Sequence, residues 1–364
     1  MNSAPVLFRC DASPRIGHGH WVRCLSLAQA LLAKGITSGF VTHKVAPEMS
    51  PDLRPNSFQF YRIPDDETIL GRGDPLPDSD LAFLLKTIQQ TAARAVLVDH
   101  YGATPRYLDR VHAQSPSLGV IDDGEGRDLV SADWLLNPNI GSEHFRLKTH
   151  DRCVRLLGVR YALLRPEFAE ARRRLKRTFH SSDHRLLVTL GGGDTASQLL
   201  SVLEAVERVP TPLEIRCMGR GPHKAIEAIR NFIVHSHHHI QFSENSDAIW
   251  EDMSWADLAV TGGGGSCWEL MCLGTPFIVC KMSEDQARNV EFLAHEDWAD
   301  CLDLKRLEEL PSIILNAYQN VEIRQIRSQR GMAFVDGLGA ERAAGSLQSL
   351  FSSQSVSIPK ERKA

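Results

Sequence analysis

The sequence lacks the features that mark secreted, membrane-spanning and nucleic-acid-binding proteins. None of its 364 residues belong to an apolar run long enough to cross a bilayer. Residues 1–6 do not join basic residues to an apolar segment, as a secretory leader does. The formal net charge of −4 argues against a nucleic-acid surface, which needs a basic stripe. We therefore expect a cytoplasmic protein that binds neither nucleic acid nor membrane and whose partner is a small molecule.

Cysteine is present but lacks the spacing of metal or disulfide motifs. The eight cysteines include no Cys-x-x-Cys pair, and most lie inside apolar runs, where a free thiol behaves as a small hydrophobe. The histidine-rich stretch at residues 235–239 has no cysteine nearby at ligand spacing, and it precedes a short strand pattern. We therefore expect no metal site and no cofactor.

Apolar strand patterns alternate with helical patterns, and the alternation restarts in the second half of the chain. The strand patterns cover residues 6–10, 39–42, 95–99, 118–121 and 134–136, then 186–190, 213–218, 240–242, 258–260 and 277–281. This order predicts an α/β fold with two Rossmann-like domains, each built on a parallel sheet. We place the domains at residues 1–178 and 179–345, with a charged connector at residues 168–184 and a polar tail at residues 346–364.

Four consecutive glycines at residues 262–265 form the most informative motif of the chain. They follow a predicted strand and precede Ser266 and a helical pattern that ends at Gly274. Glycines let backbone amides approach a phosphate, and a helix N-terminus adds partial positive charge. The spacing of Ser266 and Glu269 suits a capping box and places a carboxylate about one helical turn from the phosphate. The alternative is a tight strand-to-helix turn with an ordinary capping box.

Two further glycine-rich stretches follow predicted strands. Gly191, Gly192 and Gly193 precede Asp194 in the second half, and Gly17-His18-Gly19-His20 precedes a helix in the first half. Ligands bind at the carboxyl ends of strands in such sheets. The position of a third glycine after Gly17 and Gly19 is occupied by Val22, and the acidic residue expected after the second strand is missing. The pattern therefore argues against NAD.

His20 is the strongest candidate for proton transfer. It lies at the start of a helix, where the helix dipole disfavours an imidazolium, and imidazole titrates near neutral pH. A histidine that caps its own helix is the alternative, and we expect that simpler role for His18. Asp99 and Tyr101 end another strand, where Asp99 could orient His20 or bind substrate, or both could form a solvated strand end. The pair at residues 122–123 could bind a metal, but a turn is favoured.

In their order and spacing these motifs resemble the UDP-sugar hydrolase family of the pseudaminic acid pathway, a relative of the spore-coat polysaccharide proteins. The matching segments are residues 11–13, 16–28, 98–101, 121–123, 136–138, 157–168, 190–194 and 262–269. That family is similar to the lipid-II N-acetylglucosaminyltransferase. The resemblance implies two domains that face each other across a cleft in the GT-B arrangement. It also implies a helix after Gly339 that returns to the first domain.

The resemblance further implies hydrolysis of UDP-linked 2,4-diacetamido-2,4,6-trideoxy-L-altrose by a metal-independent enzyme of bacterial glycan synthesis. His20 would be the general base for water that attacks the anomeric carbon with inversion. Ser266 would contact phosphate, and Glu269 would hold the ribose hydroxyls. The candidate substrate-binding residues are Asp11, Gly17, Gly19, Asp99, Tyr101, Arg165, Gly192, Gly193, Asp194, Gly264, Gly265, Ser266, Glu269 and Gln286.

One residue departs from the family, and two other functions remain open. Asp285 stands where the family usually has asparagine before the glutamine, here Gln286, which puts a diphosphate contact at that position in doubt. A glycosyltransferase could use the same scaffold, because a hydrolase is a transferase whose acceptor is water. A nucleotide-sugar-binding protein without catalysis is the other alternative.

Overall fold

The computed structural model describes residues 4–12, 18–43, 57–64, 74–246 and 248–355. The chain forms two compact units. Unit 1 comprises Met1–Asp11, His20–Leu163 and Leu338–Ala364, and unit 2 comprises Ala12–Gly19 and Leu164–Gly337. Each unit has its own parallel sheet, so the predicted α/β fold with two Rossmann-like domains is confirmed. None of the described helices is both long and apolar enough to cross a membrane.

Unit 1 is built on a parallel sheet of seven strands in the order β3-β2-β1-β4-β5-β6-β7. The strands are β1 (Val6–Cys10), β2 (Ser38–Thr42), β3 (Gln59–Arg62), β4 (Ala95–Asp99), β5 (Leu118–Ile121), β6 (Trp134–Asn137) and β7 (Val154–Leu157). Its helices are α1 (Gly19–Ala33), α2 (Asp78–Thr91), α3 (Pro105–His112) and, at the end of the chain, α12 (Gly339–Ser355). β1, β2, β4, β5 and β6 are buried at every position, as expected of strands covered on both faces.

Unit 2 repeats this topology with six parallel strands in the order β10-β9-β8-β11-β12-β13. The strands are β8 (Arg185–Asp194), β9 (Glu214–Arg220), β10 (His239–Ser243), β11 (Leu258–Gly262), β12 (Phe277–Lys281) and β13 (Asp300–Asp303). The helices are α4 (Pro166–Arg174), α5 (Ala196–Val206), α6 (His223–His235), α7 (Ile249–Trp255), α8 (Ser266–Leu273), α9 (Ala287–His295), α10 (Leu310–Gln319) and α11 (Val321–Phe334). This is the doubly wound Rossmann order, in which the strand order reverses at a switch point between β8 and β11.

The division between the units lies at Leu164 and not near Thr178. Residues 166–174 form α4, whose Phe168 is fully buried and packs edge-on against Trp250 of unit 2. The stretch that looks like a charged connector is therefore partly an amphipathic helix of unit 2. Two glutamates among its apolar positions and three arginines at its end gave the segment the composition of a polar connector.

The end of the chain also differs from the predicted polar tail. Residues 346–355 continue α12, which belongs to unit 1 as expected of the helix after Gly339. Leu347 and Phe351 lie one turn apart and are buried. Trp134 on β6 donates a hydrogen bond to the Ser346 hydroxyl. The serines of this segment gave a helix with a narrow apolar stripe the composition of a polar tail.

Candidate active site

His20 forms a hydrogen-bonded pair with Asp99. α1 begins at Gly19, so His20 lies in its first turn, and Asp99 is the last residue of β4. His20 Nδ1 lies 2.5 Å from Asp99 Oδ1, and both side chains are buried. A carboxylate can only accept, so Nδ1 carries the hydrogen and Nε2 presents a lone pair. Among the described residues none is hydrogen-bonded to Nε2.

Arg23 was not selected from the sequence, yet it joins the acidic residues of this site. It lies one turn after His20 on α1 and donates from Nε and Nη2 to the two oxygens of Asp99, at 2.6 and 2.5 Å. Its Nη1 donates to Asp123 at 2.7 and 2.9 Å. Burial alone would raise the pKa of Asp99, but the charges of Arg23 and His20 outweigh it and hold that pKa well below its usual range.

Tyr101 completes this cluster, which we call the His20 cluster: His20, Arg23, Asp99, Tyr101 and Asp123. The Tyr101 ring meets the His20 ring edge-on, with centroids 4.6 Å apart, and its hydroxyl donates to Asp123 at 2.8 Å. Burial opposes ionisation of Asp123, but Arg23 lowers the pKa of its carboxyl. Asp123 therefore takes part in an ionic network and is not merely a turn residue.

Asp11, a predicted substrate ligand, lies in a neighbouring ionic cluster at the end of β1. Its Oδ1 accepts from the Thr42 hydroxyl and from the His43 N–H, at 3.0 and 2.9 Å. Its Oδ2 lies 2.7 Å from Arg9, whose buried guanidinium also pairs with Asp80. Both oxygens of Asp11 are thus engaged by the protein, and the residue balances the charge of Arg9.

His100 follows Asp99 and lies between the two clusters. Its Nδ1 accepts the N–H of Gly102 at 2.9 Å, which places the hydrogen of a neutral ring on Nε2, 3.6 Å from Asp11. Burial lowers the pKa of His100 to about 4, and the nearby Arg9 acts in the same direction. The residue is therefore neutral near pH 7.

In unit 2 the four glycines link β11 to α8, but the predicted capping box is wrong. The helix starts one residue earlier than expected, because Gly265 takes helical angles and is the N-cap, so Ser266 is the first helical residue. The Cys267 and Trp268 N–H groups bond to the Gly264 and Gly265 carbonyls. Within the described residues, the N–H groups of Gly264, Gly265 and Ser266 have no protein acceptor. Three adjacent donors therefore remain for a ligand at this helix N-terminus.

Glu269 lies on α8 after these donors and is half-buried. Burial raises the pKa of its carboxyl to about 7, although Arg165 and a hydrogen bond with Ser266 act in the opposite direction. Arg165 itself lies over the rings of Trp250 and Phe168, at 4.9 and 5.7 Å from their centroids. Of the predicted set, the structure thus brings Arg165, Ser266 and Glu269 together in unit 2.

Gln286 holds the glycine loop in place. Its Oε1 accepts from the N–H of Gly263 at 3.0 Å and from that of Met282 at 3.1 Å, and Asn289 donates to the Gly263 carbonyl. The side chain expected to contact a sugar therefore also fixes the start of the loop. The side chain of Asp285 lies outside the described residues.

The other glycine-rich stretch of unit 2 is the end of β8, where Gly192 and Asp194 are exposed and Gly193 is partly buried. Gly191 has a φ of +119°, which glycine alone adopts readily. The Gly192 carbonyl accepts from Nδ1 of His18 at 2.6 Å, and Arg220 lies 3.0 Å from Nε2 of that histidine. His18 is thus bound to the protein on both nitrogens. Gly17 lies outside the described residues.

The histidine-rich stretch forms the one group of possible metal ligands found among the described residues, which comprises Glu207, His237 and His238. His238 uses both ring nitrogens for backbone groups, because Nδ1 accepts from Leu213 N–H and Nε2 bonds to the Val206 carbonyl. His237 bonds to Glu207 and to the Val209 carbonyl. These bonds tie the start of β10 to the end of α5, so the histidines have a structural role here.

The comparisons with known proteins agree with this architecture. Residues 187–337 match the model of the glycosyltransferase family 28 C-terminal domain. Over 282 residues the chain is 27% identical to the spore coat polysaccharide biosynthesis protein SpsG of Bacillus subtilis, a match that covers 74% of this chain and 80% of that protein.

Solved structures with little sequence identity have the same fold. MurG of Acinetobacter baumannii is similar with a TM-score of 0.65 at 15% identity, over 95% of this chain and 99% of that one. A putative UDP-N-acetylglucosamine 2-epimerase from Listeria monocytogenes has a TM-score of 0.61 at 16% identity, over 96% and 97% of the two chains. The chain therefore has a glycosyltransferase-like fold of the GT-B type, and most of its second unit matches the C-terminal domain of glycosyltransferase family 28.

Proposed function

We propose that this chain hydrolyses a UDP-sugar and that His20 is the general base. The observation that carries the proposal is the bond of 2.5 Å between His20 Nδ1 and Asp99. It leaves Nε2 as a proton acceptor in the first turn of α1, at the carboxyl end of a parallel sheet. An imidazole oriented by a buried carboxylate is the arrangement by which many enzymes deprotonate water or a hydroxyl.

The proposed reaction moves one proton and exchanges one bond. Nε2 of His20 takes a proton from water as the water oxygen bonds to the anomeric carbon, and the bond from that carbon to the UDP oxygen breaks. Attack opposite the leaving group inverts the configuration. Asp99 stabilises the imidazolium that forms, and its own ionised state is secured by Arg23. Proton transfer of this kind contributes about 10² to 10⁴ in rate.

Unit 2 is proposed to hold UDP. The free N–H groups of Gly264, Gly265 and Ser266 suit a diphosphate, and their dipoles would stabilise the charge that gathers on the departing UDP. Such donors can replace a metal ion in this task, so we propose a metal-independent reaction. Glu269 lies on the same helix and is proposed to accept hydrogen bonds from the ribose hydroxyls.

The proposed sugar is a 2,4-diacetamido-2,4,6-trideoxy-L-altrose, formed during pseudaminic acid synthesis. Support comes from the motifs shared with that hydrolase family and from the 27% identity to a spore-coat polysaccharide protein. A glycosyltransferase is the second candidate, favoured by the match of residues 187–337 to a glycosyltransferase domain. In that case the hydroxyl of a second sugar or lipid-linked sugar replaces water.

The two functions are separated by incubating the protein with a panel of UDP-sugars, with and without acceptor sugars, and following UDP release by NMR. Hydrolysis predicts stoichiometric free sugar and UDP without an acceptor, at a rate that chelators do not change. UDP release that requires an acceptor would instead establish the transferase. Release of neither product from any UDP-sugar would overturn both.

Replacing His20 tests the assignment of the base. We expect His20→Asn to lower kcat by about 10² to 10⁴ while UDP affinity changes by no more than a few fold, since UDP is proposed to bind unit 2. His112→Asn is the matched control, because His112 is a half-exposed histidine of the same unit that pairs with Asp133. His18 is not a neutral control, since it bonds to Gly192. A fully active His20→Asn protein would rule out general-base catalysis by this residue.

A further inference from the structure

Arg23 occupies an unusual position for a cation beside a catalytic base. Its guanidinium binds both oxygens of Asp99, and its Nη2 also lies 3.1 Å from His20 Nδ1. The same guanidinium donates twice to Asp123. One arginine therefore touches the histidine, the carboxylate that orients the histidine and a second carboxylate behind it.

The charges of Arg23, Asp99 and Asp123 influence whether His20 is protonated. A histidine paired with a buried, unshared carboxylate gains a proton readily, because the ion pair is stronger than the neutral pair at low dielectric. An imidazolium cannot accept a proton from water. A fixed cation beside both groups offsets one negative charge and weakens this advantage. We propose that Arg23 is a positioning residue that keeps His20 in its neutral, proton-accepting form while it fixes the orientation of Asp99.

The other charged and titratable groups around His20 lie at the ends of two strands of unit 1. Asp99 and His100 come from the end of β4, Asp123 from the segment after β5, and Tyr101 from the turn after β4. Asp123 interacts with His20 and favours its cation, whereas His100 is neutral near pH 7. The only cation in contact with His20 among the described residues is Arg23.

The inference concerns the same site as the proposed hydrolase and rests on that function for its meaning in catalysis. Its test does not depend on activity. Titration of the ¹³C/¹⁵N-labelled imidazole of His20 by NMR in the whole protein, assigned with His20→Asn, reports the proton state directly. Failure to hydrolyse any UDP-sugar would overturn the function, and the titration would still decide the role of Arg23.

Three substitutions are expected to shift the midpoint of the His20 titration by amounts of different sign or size. Arg23→Gln should raise the pH at which His20 gains a proton by about 1–2 units, because the carboxylate loses its opposing cation. Asp123→Asn should lower it by less than about 1 unit, since a negative charge is removed. Arg23→Lys keeps the positive charge but loses the bidentate contact with Asp99. The midpoint should therefore stay within about 0.5 unit of wild type. In that variant kcat should fall about tenfold with KM unchanged, because Asp99 is less well oriented.

Two further variants serve as controls, one for loss of folding and one for the specificity of the shift. Arg23→Gln leaves Asp99 and Asp123 without a cation, so Arg23→Gln/Asp123→Asn, which removes one of the two negative charges, provides a variant of balanced charge with a smaller expected upward shift. Arg127→Gln is the matched control, because Arg127 pairs with the neighbouring Asp122 and not with His20, and its titration should equal wild type. An unchanged or lowered midpoint in both Arg23→Gln proteins would overturn the proposal. So would a midpoint in Arg23→Lys as high as in Arg23→Gln.

Discussion

At the scale of single residues, burial makes the ionised form of Glu269 costly to the stability of the fold. Its pKa in the folded chain, about 7, exceeds its value of 4.5 in the unfolded chain. The protonated carboxyl therefore stabilises the fold below pH 4.5, and this contribution is lost as the pH rises through 7. At physiological pH the carboxyl is partly ionised and shielded, which is consistent with its proposed role as an acceptor for the ribose hydroxyls.

Glu269→Gln should separate the two effects. Above pH 8 the neutral amide should make the protein more stable than wild type by about 1–3 kcal/mol, and the difference should vanish near pH 4.5. UDP affinity at pH 8 should fall about ten- to a hundredfold, because a charge-assisted hydrogen bond is lost. Thermal unfolding at several pH values and calorimetry measure the two quantities. Glu291→Gln, on the exposed face of α9, is the control, and equal UDP affinity of the two variants would remove Glu269 from the nucleotide site.

At the scale of elements, the loop from β11 to α8 contains one glycine that the fold requires and one that it does not require. A Cβ on Gly262 would lie 2.7 Å from the Leu190 carbonyl, so the fold itself requires glycine there. A Cβ on Gly265 would meet no atom within 4 Å, and its φ of −57° suits any residue. The fold does not demand a glycine at Gly265, which is consistent with a ligand that approaches the backbone.

Alanine at these two positions should therefore give opposite results. Gly265→Ala should change the melting temperature by less than about 2 °C but lower UDP affinity at least tenfold, because the added methyl group meets the proposed diphosphate. Gly262→Ala should lower the melting temperature clearly, because backbone must move to relieve the contact. Differential scanning fluorimetry with and without UDP compares them. Normal UDP binding by Gly265→Ala would place the diphosphate elsewhere.

Arg177 provides hydrogen-bond donors for carbonyls at the C-terminal ends of helices. It lies after α4 and donates to the carbonyls of Met253, Ala256 and Leu273, near the ends of α7 and α8. Burial lowers the pKa of its guanidinium to about 10. The arginine therefore donates to backbone carbonyls at the ends of two helices, where the intrahelical hydrogen bonds stop.

Arg177→Met should destabilise unit 2 by about 2–4 kcal/mol, since several carbonyls near helix ends lose their donor while the side-chain volume is kept. Denaturant unfolding measures this change. Arg174→Met, an exposed arginine at the end of α4, should stay within about 0.5 kcal/mol of wild type. Equal effects of the two substitutions would show that Arg177 is no more important than a surface arginine.

At the scale of the whole molecule, the chain leaves unit 1 after Leu163 and returns to it at Leu338. The returning helix α12 contributes Ala343, Ala344, Leu347 and Phe351 to the buried part of unit 1. Gly339 lies so close to the Ala162 backbone that a Cβ would approach its carbonyl oxygen to 2.2 Å. The C-terminal helix is therefore a part of the first unit and not an appendage.

A chain that stops at residue 337 should lose much of the stability of unit 1. Exposure of the apolar surface covered by Leu347 and Phe351 alone costs about 3–6 kcal/mol, comparable to the stability of a domain. Limited proteolysis should cut unit 1 first and leave a fragment of unit 2. A chain that stops at residue 355 keeps the entire helix and is the control. Equal protease resistance of both truncated proteins would contradict this role of α12.

The sequence by itself determined the fold class and most of the site's components. Strands such as β4 and β11 are uninterrupted apolar runs, and glycines followed by a helix mark strand-to-helix turns, because both patterns depend on neighbouring residues. The partly exposed strands β3 and β7 were missed, since few of their side chains are fully buried. α4 was missed because five of its nine residues are charged.

Only the tertiary structure decided which charges meet. Arg23 lies 76 residues from Asp99 and 100 residues from Asp123 in sequence, and no local pattern signals that β4 and β5 bring both carboxylates to one helix. The same holds for Asp11, which looked like a ligand but is neutralised by Arg9, and for Ser266, which looked like an N-cap. Turn and strand propensities act between neighbours in the chain, whereas pairing and pKa values depend on distance and burial, which exist only after the sheets have formed.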